Sequence, residues 1–271
     1  MVPGNAREIR GLFVVGGLVF LVVTIGFVMG MDWATTLWPW PDGRLSYIFI
    51  ASITAAIAAP MLWIGLTQEF GAARGGAVNL GITAGGMTVY LFLRYGREAD
   101  VQLLISAVAA ALFTVINVGI FRWSSQQSIR DRRAMPRPVR ASFGLFTIVL
   151  LVVGALLVMQ VPVIFPWPLM PGSSVMFGCV FLGAASYFAL ALRSPWWHCA
   201  KGQLIGFLAY DLILIGPYLA HFGAVSSSHR LSLIVYVAVL VYSGTLAVYY
   251  LFVDERTRSW LVEPTQAPNR S

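Results

Sequence analysis

The sequence predicts an all-α integral membrane protein with roughly eight transmembrane helices, arranged as two parallel four-helix pseudo-repeats. Three observations lead there. Long apolar stretches recur along the whole chain. The positive charge is concentrated in one polar stretch near the middle. The tripeptide Pro-Trp-Pro occurs twice, as Pro39-Trp40-Pro41 and Pro166-Trp167-Pro168.

Composition sets the solvent. Of the 271 residues, 58% are hydrophobic and only 11% charged. A water-soluble domain carries about 25% charged residues, so this chain has too few for an aqueous surface. The net charge of +7 does not point to nucleic acid. Arg122, Arg130, Arg132, Arg133, Arg137 and Arg140 share one stretch with a single acid, Asp131. A basic connection between spans is what the positive-inside rule produces.

The elements follow in order. Apolar runs at 12–30, 46–66, 78–93, 101–121, 142–164, 173–192, 203–222 and 231–253 are the candidate spans. Most approach the roughly 20 residues that a helix needs to cross a bilayer. The first follows Arg7 and Arg10 and is too long for the core of a signal peptide, so it reads as a retained span. The third is short and holds Gly81, Gly85 and Gly86, which makes it the weakest. All should be helices, because open strands would leave backbone groups unsatisfied in lipid.

An ungapped shift of about 127 residues superposes the two Pro-Trp-Pro elements. It also aligns Ser46 with Ser173, Arg74 with Lys201 and Gly75 with Gly202. Four spans per half is an even number, so the halves should point the same way. The division is then 1–121, a first repeat; 122–140, a basic cytoplasmic linker; 141–253, a second repeat; and 254–271, a polar cytoplasmic tail. The basic linker puts both termini in the cytoplasm, and a bacterial inner membrane is the expected location. Trp40, Trp167, Trp196 and Trp197 fall at span ends and are expected as interfacial anchors.

Asp211 is the sharpest functional candidate. It falls within the seventh span, where a carboxylate is costly and marks a functional site by default. Tyr218 and His221 follow at i+7 and i+10, on the same broad helix face. The three suggest a substrate or proton path; a packing role is the plainer reading. Pro217 lies between them and frees a backbone carbonyl. Gln68, Glu69, Arg74 and Asn79 form a polar connection able to grip a headgroup or simply to face solvent. Trp196-Trp197-His198-Cys199 could hold a metal or a headgroup, with anchoring preferred. Lys201, the one lysine, is too near a span end for a retinal Schiff base. Cys179 and Cys199 are too far apart along a helix for an intrachain disulfide. Gly26-x-x-x-Gly30 and Gly81-x-x-x-Gly85 permit close helix approach.

No Walker A, His-Glu-x-x-His, Gly-x-Ser-x-Gly or prenyl-diphosphate motif occurs. No catalytic residue, metal site or cofactor is expected. The leading reading is a carrier for a small or lipid-like molecule held between the halves. The alternatives are a non-catalytic subunit of a membrane complex and a membrane-embedded enzyme. The expected partners are membrane lipids and other membrane subunits, with no nucleic acid.

Overall fold

The computed structural model describes residues 3–258 of the chain. It is 80% helical. Its helices are α1 (Pro3–Met29), the single turn α2 (Asp32–Thr35), α3 (Arg44–Thr67), α4 (Ala73–Glu98), α5 (Val101–Ser124), α6 (Arg137–Val158), α7 (Pro171–Arg193), α8 (Trp197–His221) and α9 (Arg230–Val248). A π-helical turn, Tyr249–Val253, continues α9. No strand occurs among the described residues. All the helices except α2 are long and apolar enough to cross a membrane. Residues 259–271, most of the expected polar tail, lie outside the described residues.

The helix ends have local causes. Gly30 takes φ +67 and closes α1, a conformation glycine adopts at little cost. Gln68 and Ala99 end α3 and α4 in the same left-handed region. Asp100 starts α5 by accepting the backbone N–H of Gln102 at 2.8 Å, an N-cap bond. Pro171 opens α7 at the one end of a helix where a missing N–H costs nothing.

One span differs from its sequence reading. α4 runs from 73 to 98 without interruption, although 78–93 looked short and glycine-rich. Its glycines are spacers for neighbours. Gly81 and Gly85 face Asn117 and Thr114 of α5, and Gly86 abuts the Cys179 thiol of α7. Packing against two helices outweighs the cost of glycine in a helix interior, about 1 kcal/mol each. Gly26-x-x-x-Gly30 departs in the other direction: Gly26 receives Trp33 and Ala34 of the α2 turn, not a second long helix.

Successive spans pair as α1–α3, α4–α5, α6–α7 and α8–α9. Two further pairs, α3–α8 and α4–α7, join the first half of the chain to the second. Numbering the spans one to eight and exchanging each with the one four places on returns the same set of pairs. α3 and α7 form the centre. More than half of each apolar window is buried, 61% and 56%, against 28% or less for the other spans. The outer helices present bare apolar side chains such as Leu12, Val115, Ile148 and Val241, the surface that hydrocarbon requires.

The connections gather at two ends. At the Pro-Trp-Pro end, Phe49, Phe165, Phe177, Phe181, Trp38 and Trp167 interlock, with ring centroids from 4.8 to 6.4 Å apart. At the opposite, basic end, the segment between α5 and α6 is a tied strap. Met135 N–H donates to Pro195 O at 2.8 Å and Trp197 N–H to Arg133 O at 2.7 Å. Glu69 Oε1 accepts the backbone N–H groups of Arg130 and Asp131 at 3.0 and 3.1 Å.

Candidate functional site

Asp211 lies near the middle of α8, is 5% exposed, and faces α9. Ser243 on α9 sits 2.9 Å from Oδ2 and 3.1 Å from Oδ1. The neighbouring Gly244 makes this approach possible, since a Cβ there would come within 3.3 Å of Oδ2. The Ser243 hydroxyl is also 2.8 Å from Val239 O of its own helix. A hydroxyl carries one proton and serves one acceptor at a time. Asp211 therefore keeps acceptor capacity that Ser243 does not fill.

The carboxyl lines a groove of about 500 Å³ between α8 and α9. The remaining walls are almost wholly apolar, with Leu208, Leu212, Ile215, Leu240, Val241 and Val248 among them. Leu212 and Val241 are 69% and 56% exposed. The groove thus opens on the outer, apolar wall of the bundle, at the depth where lipid chains would lie.

Tyr218 and His221 share this side of α8 but do not continue the site as a polar path. Tyr218 is fully buried, its ring edge-on to Trp167 at 5.7 Å and to Tyr236 of α9 at 6.1 Å. His221 Nε2 lies 3.3 Å from the backbone oxygen of Pro166. Among the described residues no hydrogen bond links Asp211, Tyr218 and His221. The spacing i, i+7, i+10 puts them on one broad helix face. It could not show that aromatic rings fill the interval.

The four tryptophans divide. Trp196 is 40% exposed at the start of α8, as an anchor would be. Trp40 is half-buried against Gly172, where any Cβ would overlap its ring. Trp167 and Trp197 are buried inside the protein, at 7% and 0%. Their indoles pack on protein, so a position at a span end did not mean a side chain facing headgroups.

The basic end brings together residues that the sequence showed separately. Glu69, Asp131, His198 and Lys201 are all buried there. Asp131 pairs with Arg133 at 2.7 Å. The Lys201 ammonium stands 5.6 Å from the centroid of the Trp63 ring, a cation–π distance. Tyr187 Oη donates to the backbone oxygen of Cys199 at 2.8 Å. No three His, Cys, Asp or Glu gather here, or elsewhere among the described residues, in a way that could hold a metal.

Sequence reasoning missed Ser243 and Gly244 as partners of Asp211. The signal was present: a small hydroxyl residue beside a glycine inside an apolar span marks a close, hydrogen-bonded helix contact. No family model matches the chain, and neither curated proteins nor solved structures give a match.

Proposed function

We propose that this multi-pass membrane protein is a carrier that takes a lipid-like molecule from the bilayer into the groove between α8 and α9. One observation carries the reading: a buried carboxyl with spare acceptor capacity lines an otherwise apolar groove that opens sideways. Such a groove suits a ligand with an apolar body and a head that donates hydrogen bonds or carries positive charge. The apolar walls give affinity, and the carboxyl fixes orientation. An intramembrane acid is costly enough that a functional role is its default reading. In this proposal the molecule sits at α8–α9, within the second half of the chain, and not between the halves.

The exposed apolar wall also supports a second reading, a non-catalytic subunit of a larger complex. A partner helix could lie along Leu212 and Val241 as readily as a lipid chain. No observation favours an enzyme.

A bacterial inner membrane with both termini in the cytoplasm remains our proposed setting. Its support is the charge distribution. Arg74, Arg130, Arg132, Arg133, Arg193 and Arg256 lie in or beside the connections of one end; Arg44, Arg94, Arg97 and Arg230 belong to the other. Descent from a duplicated four-span unit is likewise a proposal, supported by the exchange-invariant helix pairing.

The test is extraction in mild detergent followed by analysis of what stays bound. The carrier reading expects a lone protein holding an amphiphile. Asp211→Asn, which keeps the shape of the side chain, should fold and hold at least fivefold less of it. Stoichiometric protein partners with unchanged binding by Asp211→Asn would transfer the case to the subunit reading.

A further inference from the structure

We infer that the basic end of the bundle binds an oxyanion of the phosphate type at Arg74, a site separate from the α8–α9 groove. Arg74 is the second residue of α4. Its Nη2 atom is buried and has no hydrogen-bond partner. Among the described residues Arg74 makes no ion pair. A buried, charged donor without an acceptor is costly, and native proteins rarely leave one in that state.

The carboxylates that could answer it are already taken. Glu69 is turned to the strap, where it accepts two backbone N–H groups. Asp131 is held by the guanidinium of Arg133 through both oxygens. Arg74 instead meets the Cys199 thiol as a weak hydrogen-bond partner, with the Tyr187 hydroxyl and the His198 ring in electrostatic reach, and Nη2 is left over. None of these supplies a formal negative charge at neutral pH in its ordinary state.

The surroundings favour an anion. The residue aligned with Arg74 by the 127-residue shift is also basic: Lys201, the fifth residue of α8. A guanidinium presents a planar fork of donors that fits two oxygens of a phosphate at once. Arg74 as a whole is half-buried, with Nη2 on its closed side. Exposed Arg193 and Trp196 border the connection into α8, the composition of a headgroup layer. Two sources could provide the oxyanion: the headgroup of a phospholipid, or a soluble phosphate compound.

The experiment uses the full chain, stripped of lipid in maltoside micelles, and follows thermal unfolding. One arm titrates inorganic phosphate. The other mixes in short-chain phosphatidylglycerol, with diacylglycerol as the phosphate-free control. Without ligand, Arg74→Gln should unfold at or above the wild-type temperature, because it removes an uncompensated charge. With ligand the order should reverse: wild type gains several degrees and Arg74→Gln gains less than a fifth of that. A gain with phosphatidylglycerol alone identifies a headgroup; a gain with inorganic phosphate as well identifies a soluble ligand. Equal gains for wild type and variant, or none for either, overturn the inference. Should Arg74→Gln fail to fold, Arg74→Lys decides. It keeps the charge and loses the fork, and must need at least threefold more ligand for half the wild-type gain. An unchanged requirement overturns the site.

Discussion

Trp167 reaches across the bundle and donates its indole N–H to Ser46 at 2.9 Å, a buried bond between residues 121 positions apart. Trp38 answers from the other half, donating to Ser173 at 3.2 Å and to Asp42 at 2.8 Å. Ser46 and Ser173 are the two serines aligned by the 127-residue shift. Each Pro-Trp-Pro connection therefore closes over a helix of the other half. Proline is well placed there, since it ends helices and sets the direction of a loop without needing an N–H partner.

The first prediction concerns that bond. Ser46 is fully buried, so Trp167→Phe strands its hydroxyl and should cost about 1–3 kcal/mol. Ser46→Ala in turn strands the buried indole N–H of Trp167 and should cost a similar amount, about 1–3 kcal/mol. A double-mutant cycle should give a coupling of about 0.6 kcal/mol, the usual size for an interhelical hydrogen bond in a membrane protein. Reversible unfolding in mixed micelles measures it. Strict additivity of the two changes would show that the bond contributes nothing.

Glycines give the second prediction. A Cβ on Gly183 of α7 would overlap Thr83 Oγ1 and stand 2.5 Å from the backbone oxygen of Asn79 on α4. Backbone cannot move aside as a side-chain tip can. Gly183→Ala should therefore lose about 1–3 kcal/mol through overpacking at the seam between halves. Gly144 in α6 has nothing within 4 Å. Gly144→Ala should be neutral or should gain up to about 1 kcal/mol from helix propensity. A larger loss at Gly144 than at Gly183 would contradict the helix packing described.

How much of this was legible beforehand depends on the physics involved. The spans could be read because hydrocarbon demands long apolar helices, and length and composition reveal those directly. The helical period puts Asp211, Tyr218 and His221 on one broad side of a helix, but says nothing of what packs between them. The partners did not follow. Ser243 lies 32 residues from Asp211, and nothing local announces which helix it meets. Trp167 and Trp197 look like anchors in sequence because burial inside a bundle and burial at a headgroup layer use the same residue. Glu69, Asp131 and Arg133 lie in polar stretches that resemble solvated loops. Only the fold shows them tied together.

Topology is the third prediction. With the strap on the cytoplasmic side, cysteines placed at exposed Ser125 and at exposed Ser227 should react with an impermeant thiol reagent from opposite faces of the membrane. The native Cys179 and Cys199 should be replaced first, Cys179 with Ala to respect Gly86 beside it. Reaction of both sites from the same face would be incompatible with the eight spans.

The last prediction follows from the strap. Asp131 holds Arg133 by two side-chain bonds, 2.9 Å from Nε to Oδ1 and 2.7 Å from Nη2 to Oδ2. Arg133 in turn donates to the backbone oxygen of Arg256 at 2.8 Å, and its own carbonyl receives the first N–H of α8. One carboxylate thus fastens the strap to α8 and to the segment after α9. Burial acts to raise the Asp131 carboxyl, but the hydrogen bond and charge of Arg133, with help from Lys201, outweigh it. The carboxyl is held below its ordinary value. A depressed folded value means stability that is present above the unfolded carboxylate range and lost as pH falls through the folded value. Asp131→Asn keeps the shape but not the charge, and should cost about 1–3 kcal/mol at pH 7. The gap between wild type and variant should stay level from pH 7 to about pH 5, then narrow as pH falls below the ordinary carboxylate value of about 3.9. Unfolding in detergent across that range measures it. A gap that stays constant down to the lowest pH would mean that Asp131 acts through shape alone, and the charge-held strap would have to be given up.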